Sequence, residues 1–338
     1  MLKRTKVAIF SDLHLGLYSN SLEWHAIALS WADWIVKDLK SKGVKDILFL
    51  GDFFHNRSEI SVQTVHVASE IIGKFKDFNL FMIVGNHDAF YKNRADIHSL
   101  GLLKGHDNIT IIDKPLVLDV FDKKMLFVPW NCAIPDENFD YIFGHFEIQS
   151  FKMNNYKTCD HGLQVLELLN KTDTVFSGHF HHRNTKTYNE GKVHYVGNTF
   201  PMDFSDVGNV KGYDILDIET GELEFFENKV SPRFVKFNLS ALAKITEADI
   251  KGNIVKMVVD KDVPDDKLEK FKVYVNKFSP HQLNLEFNVV SKDNSGIEEL
   301  DAIDLEEMLD EFVIQLKLEE DKQLRVDGII VNLYDRSK

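Results

Sequence analysis

Over the first ninety residues, short apolar runs alternate with helical stripes. Val7–Phe10 is an apolar run of β-forming residues that stops at Ser11-Asp12. From Ser21 to Lys42, Trp24, Ile27, Leu29, Trp31, Trp34, Ile35 and Leu39 recur at helical spacing, and Gly43 ends the stripe. Ile47–Leu50 reads as a second strand, Val62–Phe75 as a second helix and Leu80–Val84 as a third strand running into Gly85-Asn86-His87. Strands without polar alternation are buried on both faces, and strand–helix–strand repetition implies a mainly parallel sheet covered by helices. Active groups in such sheets lie on loops beyond the carboxyl ends of the strands. Asp12, Asp52 and Asn86 stand at those positions.

Strand patterns dominate from residue 108 to residue 230. Leu116–Phe121 and Lys124–Val128 form a hairpin around Asp122-Lys123, and Thr185–Tyr188 and Val193–Val196 form another around Asn189–Gly191. Tyr141–Phe143 ends at Gly144-His145, and Thr174–Phe176 ends at Ser177-Gly178-His179. This stretch is expected to build a second sheet packed on the first. The pattern changes near Val230-Ser231-Pro232, after which strands at Phe234–Phe237, Ile254–Val259 and Leu283–Val290 and a charged helix after Pro264 suggest a small α+β unit. Lys292–Gly296 reads as a linker. Beyond it, Leu305, Met308, Leu309, Phe312, Val313 and Leu316 repeat at helical spacing.

A chain of 338 residues, 44% hydrophobic and with 26 phenylalanines, has enough apolar material for more than one core. Its net charge of −13 argues against a generally basic nucleic-acid surface, so any polyanionic substrate needs bound cations, a local basic patch or a partner. Two cysteines, Cys132 and Cys159, make neither a disulfide framework nor a thiolate zinc motif and suit a reducing cytoplasm. The N-terminal residues lead into a strand rather than a signal-peptide core, and no apolar run is long enough for a membrane helix, so no membrane association is expected.

The chemistry lies in five blocks: Asp12-Leu13-His14, Gly51-Asp52-Phe53-Phe54-His55, Gly85-Asn86-His87-Asp88, Gly144-His145 and Gly178-His179-Phe180-His181. Each follows an apolar strand. Together they supply carboxylate and amide oxygens and imidazole nitrogens without thiolate, a donor set for Mn²⁺, Fe²⁺ or Zn²⁺. Seven ligands, Asp12, His14, Asp52, Asn86, His145, His179 and His181, serve two ions if one carboxylate bridges, and Asp52 on the middle strand is the candidate. Two ions about 3.5–4 Å apart activate a water and clamp a phosphate. His87 is assigned to stabilising the transition state or protonating the leaving oxygen, with His55 assisting from the other side.

These blocks resemble the calcineurin-like metallophosphoesterases. Gly51-Asp52-Phe53-Phe54-His55-Asn56-Arg57 and the Asp88 ending of the third block look like the SbcD-type DNA repair nucleases rather than the protein phosphatases. Tyr195-Val196-Gly197-Asn198-Thr199, Phe204-Ser205-Asp206 and Lys211-Gly212-Tyr213 are similar to that family's stretch after the last metal histidines, and Val128-Pro129-Trp130 and Gly144-His145-Phe146-Glu147 are similar to the recombination endonuclease subunits of T-even-type bacteriophages. The resemblance, which covers most of residues 6–230, implies an α/β (α+β) fold: a four-layer αββα sandwich with a small α+β capping domain and C-terminal helices. It implies Asp12, His14, Asp52 and His181 on one ion and Asp52, Asn86, His145 and His179 on the other, with His87 and His55 catalytic. The ions would be two divalent metals, Mn²⁺ before Mg²⁺.

The implied domains are a nuclease domain over 1–230, a DNA-capping domain over 231–292 and a C-terminal segment over 300–338 that binds an SMC-like ATPase. The implied activity is 3′-to-5′ exonuclease on duplex DNA and single-strand endonuclease, by a homodimer acting in double-strand-break processing and recombination. It would work in the cytoplasm, the host's if phage-encoded. Lys92, Arg94, Lys152 and Arg183 are candidates for the DNA path. The alternative is a phosphoprotein or small-molecule phosphodiesterase of the same fold.

Overall fold

In the computed structural model, which describes residue 2 and residues 4–91, 93–260 and 263–288, the early apolar runs become adjacent strands. β1 (Lys6–Phe10), β2 (Asp46–Phe49), β3 (Asn79–Ile83) and β4 (Ile109–Ile112) lie parallel in that order. Side chains alternate across this sheet. Ala8, Phe10, Ile47, Phe49, Leu80 and Met82 point outward to helices α1 (Leu22–Ser41) and α2 (Val62–Lys74), where Trp31, Ile35, Leu39 and Ile71 meet them. Val7, Ile9, Leu48, Phe81 and Ile83 point inward. Strands apolar on both faces thus serve two cores at once, which explains their lack of polar alternation.

The second sheet is ordered β5-β6-β7-β8-β10-β9. Its strands are β5 (Leu116–Val120), β6 (Lys123–Val128), β7 (Tyr141–His145), β8 (Thr174–Gly178), β9 (Asn184–Tyr188) and β10 (Gly191–Tyr195), with β6, β7, β8 and β10 parallel. Parallel register brings Phe127, Phe143 and Phe176 level, and their rings stack at 5.2 and 5.3 Å between the sheets. Such a fully buried phenylalanine is worth about 3–5 kcal/mol against alanine.

One expectation needs correction. The strands after residue 108 do not all join the second sheet: β4 extends the first, and β11 (Gly212–Asp217) returns to pair antiparallel with β1, carrying β12 (Leu223–Glu227) at its edge. The four layers are also unequal. Among the described residues the only helix on the outer face of the second sheet is α3 (Val165–Leu169), and much of that face is covered by Phe146, Ile148 and Phe151 from an irregular segment. Loop side chains can bury a sheet face when they carry enough apolar area.

After residue 232 a three-stranded sheet, β13 (Phe234–Asn238), β14 (Ile254–Asp260) and β15 (Gln282–Asn288), forms with helices α4 (Glu247–Ile250) and α5 (Asp265–Asn276). It has its own core of Phe237, Val255, Met257, Leu268 and Val275. Phe234 joins it to the larger part, lying 6.1 Å from Trp24 of α1 and 4.8 Å from Phe204. Met1–Phe287 form one compact unit. The linker Lys292–Gly296, the helical segment 300–338 and Lys92 fall outside the described residues. Among the described residues no helix is long and apolar enough to cross a membrane.

Candidate active site

All nine chemical residues singled out by the sequence meet where the parallel strands of both sheets end. The backbone there is bent sharply: Asp12, His14, Asp52 and His179 have φ of 56°, 46°, 60° and 87°. Each such left-handed residue other than glycine costs on the order of 1–3 kcal/mol, so the surrounding hydrogen bonds must impose it. Asp12 and Leu13 donate to the carbonyls of Gly51 and Asp52 at 2.9 Å, and Leu15 donates to Phe53 at 2.8 Å, tying the first loop to the second. Gly51, at φ 103°, has no room for a side chain, because an added Cβ would fall on the His145 ring.

Asp88 holds the second loop to the third. Its Oδ1 accepts from Phe53 and Phe54 N–H at 3.0 and 3.1 Å, and its Oδ2 from Asp52 and Gly85 N–H at 2.8 and 3.1 Å. Burial and then the Asp52 charge push the Asp88 carboxyl up to about 6, against the pull of those donors. The sequence places Asp88 in the third block without indicating a role for it. Its function is visible only once the two loops are adjacent.

Among the described residues, the expected ligands form two groups in each of which the ligating atoms lie within 4.8 Å of one another, Asp12, His14 and His181, and Asp52, His145 and His179; His14 also meets His55 and His87 in this way. In the second group Asn86 Oδ1 lies 2.8 Å from His145 Nε2 and 2.9 Å from His179 Nδ1. Asp52 Oδ2 is 3.2 Å from His145 Nε2 and 3.6 Å from His14 Nε2, so one carboxylate oxygen faces both groups. Its Oδ1 is held by the His87 backbone N–H at 2.8 Å.

The two groups differ electrically. Burial, then His87, lowers His14 well below its ordinary value, and burial with His14 lowers His181 to about 4. Both imidazoles are therefore neutral, while the neighbouring Asp12 Oδ1 is buried without a hydrogen bond. A buried carboxylate oxygen with no donor among neutral imidazoles suits a cation. In the other group burial works to lower His145, but Asp52 prevails and lifts it to about 9. His145 Nδ1 donates to the Leu50 carbonyl at 2.6 Å, which directs Nε2 at the Asp52 and Asn86 oxygens. The field that draws a proton to that nitrogen also favours a metal ion. The residues present thus fit a pair of divalent cations.

His55 and His87 stand beside the first group. Their rings stack at 5.4 Å, His87 lies 4.7 Å from the His14 ring, and His87 Nδ1 donates to the His55 carbonyl at 2.6 Å, leaving its Nε2 available. Burial and then His87 lower His55 to about 4. Trp130, to which the sequence alone assigns no role, packs against the His179 ring at 5.0 Å.

One expected DNA contact is overturned. Arg183 is locked inside, donating twice to Asp214 at 2.7 and 2.6 Å and lying 4.0 Å over the Phe225 ring. Its side chain is 13% exposed, so it is committed to structure. Arg94 is surface-exposed and paired with Asp96 at 2.9 Å, and Lys152 is exposed.

Exonuclease subunit 1 of Enterobacteria phage T4 is 29% identical over 330 residues, 91% of this chain and 92% of the relative. The SbcD component of the SbcCD nuclease of Staphylococcus saprophyticus is 22% identical over 367 residues, with the same coverage of 91% and 92%. A solved structure described as a novel archaeal phosphodiesterase covers 66% of this chain and 99% of its own at 17% identity, with a TM-score of 0.38, too low to bear on the argument. The family model for the calcineurin-like phosphoesterases matches residues 5–183, the stretch that carries all five blocks. The chain belongs to the calcineurin-like phosphoesterase family, whose fold implies divalent metal ions.

Proposed function

We propose that the chain is a Mn²⁺-dependent DNA nuclease, a 3′-to-5′ exonuclease on duplex ends and an endonuclease on single strands. The observation that carries the reading is Asp52, whose Oδ2 faces donors of both groups, with the His55–His87 pair beside it. Two curated relatives aligned over nine-tenths of the chain are named as nuclease subunits, which supports DNA as substrate and a partner subunit.

In this reading Asp12, His14, Asp52 and His181 hold one ion and Asp52, Asn86, His145 and His179 the other. When bound, the ions supply positive charge to the phosphate and lower the pKa of a water. The chain's own residues do the rest. Asp88 keeps the two ligand loops in register, Asp52 is aimed by the His87 N–H, and His87 presents its Nε2 to the departing oxygen. Residues 231–292 would cap the DNA, 300–338 would bind an SMC-like ATPase, and a homodimer in the cytoplasm would bring two sites to one break. At a net charge of −13, stable DNA binding would need that assembly.

The test is digestion of end-labelled duplex DNA with Mn²⁺, with Mg²⁺ and with chelator, beside hydrolysis of nitrophenyl phosphate. Mn²⁺-dependent shortening of DNA is expected. Hydrolysis of the small ester with DNA left intact would sink the reading. His87→Ser should keep its metal and lose about 10²–10⁴-fold in cleavage rate.

A further inference from the structure

We infer that Glu147 is a positioning residue, whose carboxylate fixes the ring of His179 and thereby sets the affinity of one of the two ion positions. The inference rests on the two-ion reading above. His179 turns Nδ1 toward Asn86 Oδ1 at 2.9 Å, into the donor group. Its other nitrogen, Nε2, is buried and makes no hydrogen bond at normal distance, and the acidic oxygen facing it is Glu147 Oε1 at 3.7 Å. A ring that offers the Nδ1 lone pair to a cation must carry its proton on Nε2. A carboxylate opposite that proton selects the tautomer, holds the ring plane and makes the ligand more basic.

The fold puts effort into placing this carboxylate. The buried Tyr195 hydroxyl accepts from Ile148 N–H at 3.2 Å and donates to the Phe146 carbonyl at 3.0 Å, bracketing Glu147 on both sides. The Tyr195 ring stacks at 4.7 Å on Phe180, the neighbour of His179, so both ends of the pair share one support. The Glu147 carbonyl accepts from Leu163 N–H at 2.8 Å. It also packs against Gly162, whose φ of 83° and lack of space exclude a side chain. On the outer side His161 Nε2 lies 3.0 Å from the same Oε1, and His161 Nδ1 lies 2.7 Å from Asp160 Oδ1. A line of polar groups therefore runs from the surface through Glu147 to His179 and Asn86.

Glu147, Cys159 and His161 also bring ligating atoms within 4.8 Å of one another, which raises the rival reading of a third ion. The contacts speak against it. The Cys159 thiol donates to the His161 carbonyl at 3.2 Å, and both His161 nitrogens already face carboxylates. Glu147 acts through His179.

The experiment is calorimetric titration of Mn²⁺ into metal-free full-length protein, with Co²⁺ absorption as a spectroscopic check on ligand geometry. The wild type should take up two ions. In Glu147→Ala one of the two steps should weaken by about 10–100-fold while the other holds, and the Co²⁺ spectrum should change at that step alone. Glu147→Gln keeps an acceptor oxygen and should recover part of the loss. His161→Ala should weaken the same step less. The thermal midpoint of the metal-free protein should be unchanged in all three. Unchanged affinities, equal weakening of both steps or a fall in the metal-free midpoint would overturn the assignment. So would three ions in the wild type and two in Glu147→Ala, which would make Glu147 a ligand. Failure of the wild type to bind Mn²⁺ at all would instead defeat the two-ion reading itself.

Discussion

Two buried clusters of histidine and carboxylate lie close together along the chain. One contains His179 and His181. The other joins Arg183, His194 and Asp214. In the second, Asp214 takes two N–H bonds from Arg183 and one from His194 Nε2 at 3.0 Å, while the Thr185 hydroxyl donates to His194 Nδ1 at 2.6 Å. Burial keeps that histidine below its ordinary value, hence neutral, and each of its ring nitrogens has a partner. In the first, nitrogen faces nitrogen across the 2.9 Å between His14 and His181, and Asp12 Oδ1 and His179 Nε2 have no hydrogen bond. Residue type and burial are alike in the two. Satisfaction differs, and it separates a structural network from a site suited to a cation.

Breaking the shared carboxylate should have the largest effect. Asp52→Asn should weaken both Mn²⁺ binding steps and reduce DNA cleavage on the order of 10³-fold, read by titration and by rate. Loss of one step alone would show that Asp52 does not serve both groups. Asp214→Ala probes the opposite cluster. It strands the Arg183 guanidinium and the His194 N–H, so the protein should lose about 3–5 kcal/mol of stability in denaturant titration while still binding two ions. A stable variant with altered metal binding would erase the distinction between the clusters.

Asp88→Ala lies between them, since it leaves four buried N–H groups without their acceptor. It should cost about 3 kcal/mol or more and also loosen metal binding, whereas Asp88→Asn, retaining one acceptor oxygen, should cost less. The smallest effect concerns pH. His194 has a folded value below its ordinary 6.5, so the unfolded chain binds the extra proton first as pH falls. Its contribution is complete above about 6.5 and fades below it. The wild-type advantage in melting temperature over His194→Gln should therefore shrink between about pH 7.5 and about pH 5. An advantage that grew on acidification would mean that His194 is charged in the folded protein.

Legibility in the sequence follows distance along the chain. β1, β2 and β3 are readable because each is a local apolar run ended by a polar block, and the same blocks name the metal-type donors. The place of β11 beside β1, with Lys6 opposite Asp217, is not readable, since it depends on residues about two hundred positions apart. Arg183 looks like a free cation in the sequence, and nothing near it announces Asp214 as its partner. Glu147 follows His145 closely with no local sign of a role, because its partner His179 is thirty-two residues later and beyond another strand.

By itself the sequence determined the alternation of strands and helices, the donor chemistry and the order in which the donors arrive, because these depend on neighbouring side chains and on short-range backbone preference. The tertiary structure decided which donors lie within reach of one another, which histidines are neutral, which carboxylate faces both groups and which cation is spent on structure. Those outcomes depend on burial and on distances of a few ångströms between chain segments far apart in sequence, where desolvation and electrostatic coupling are strongest.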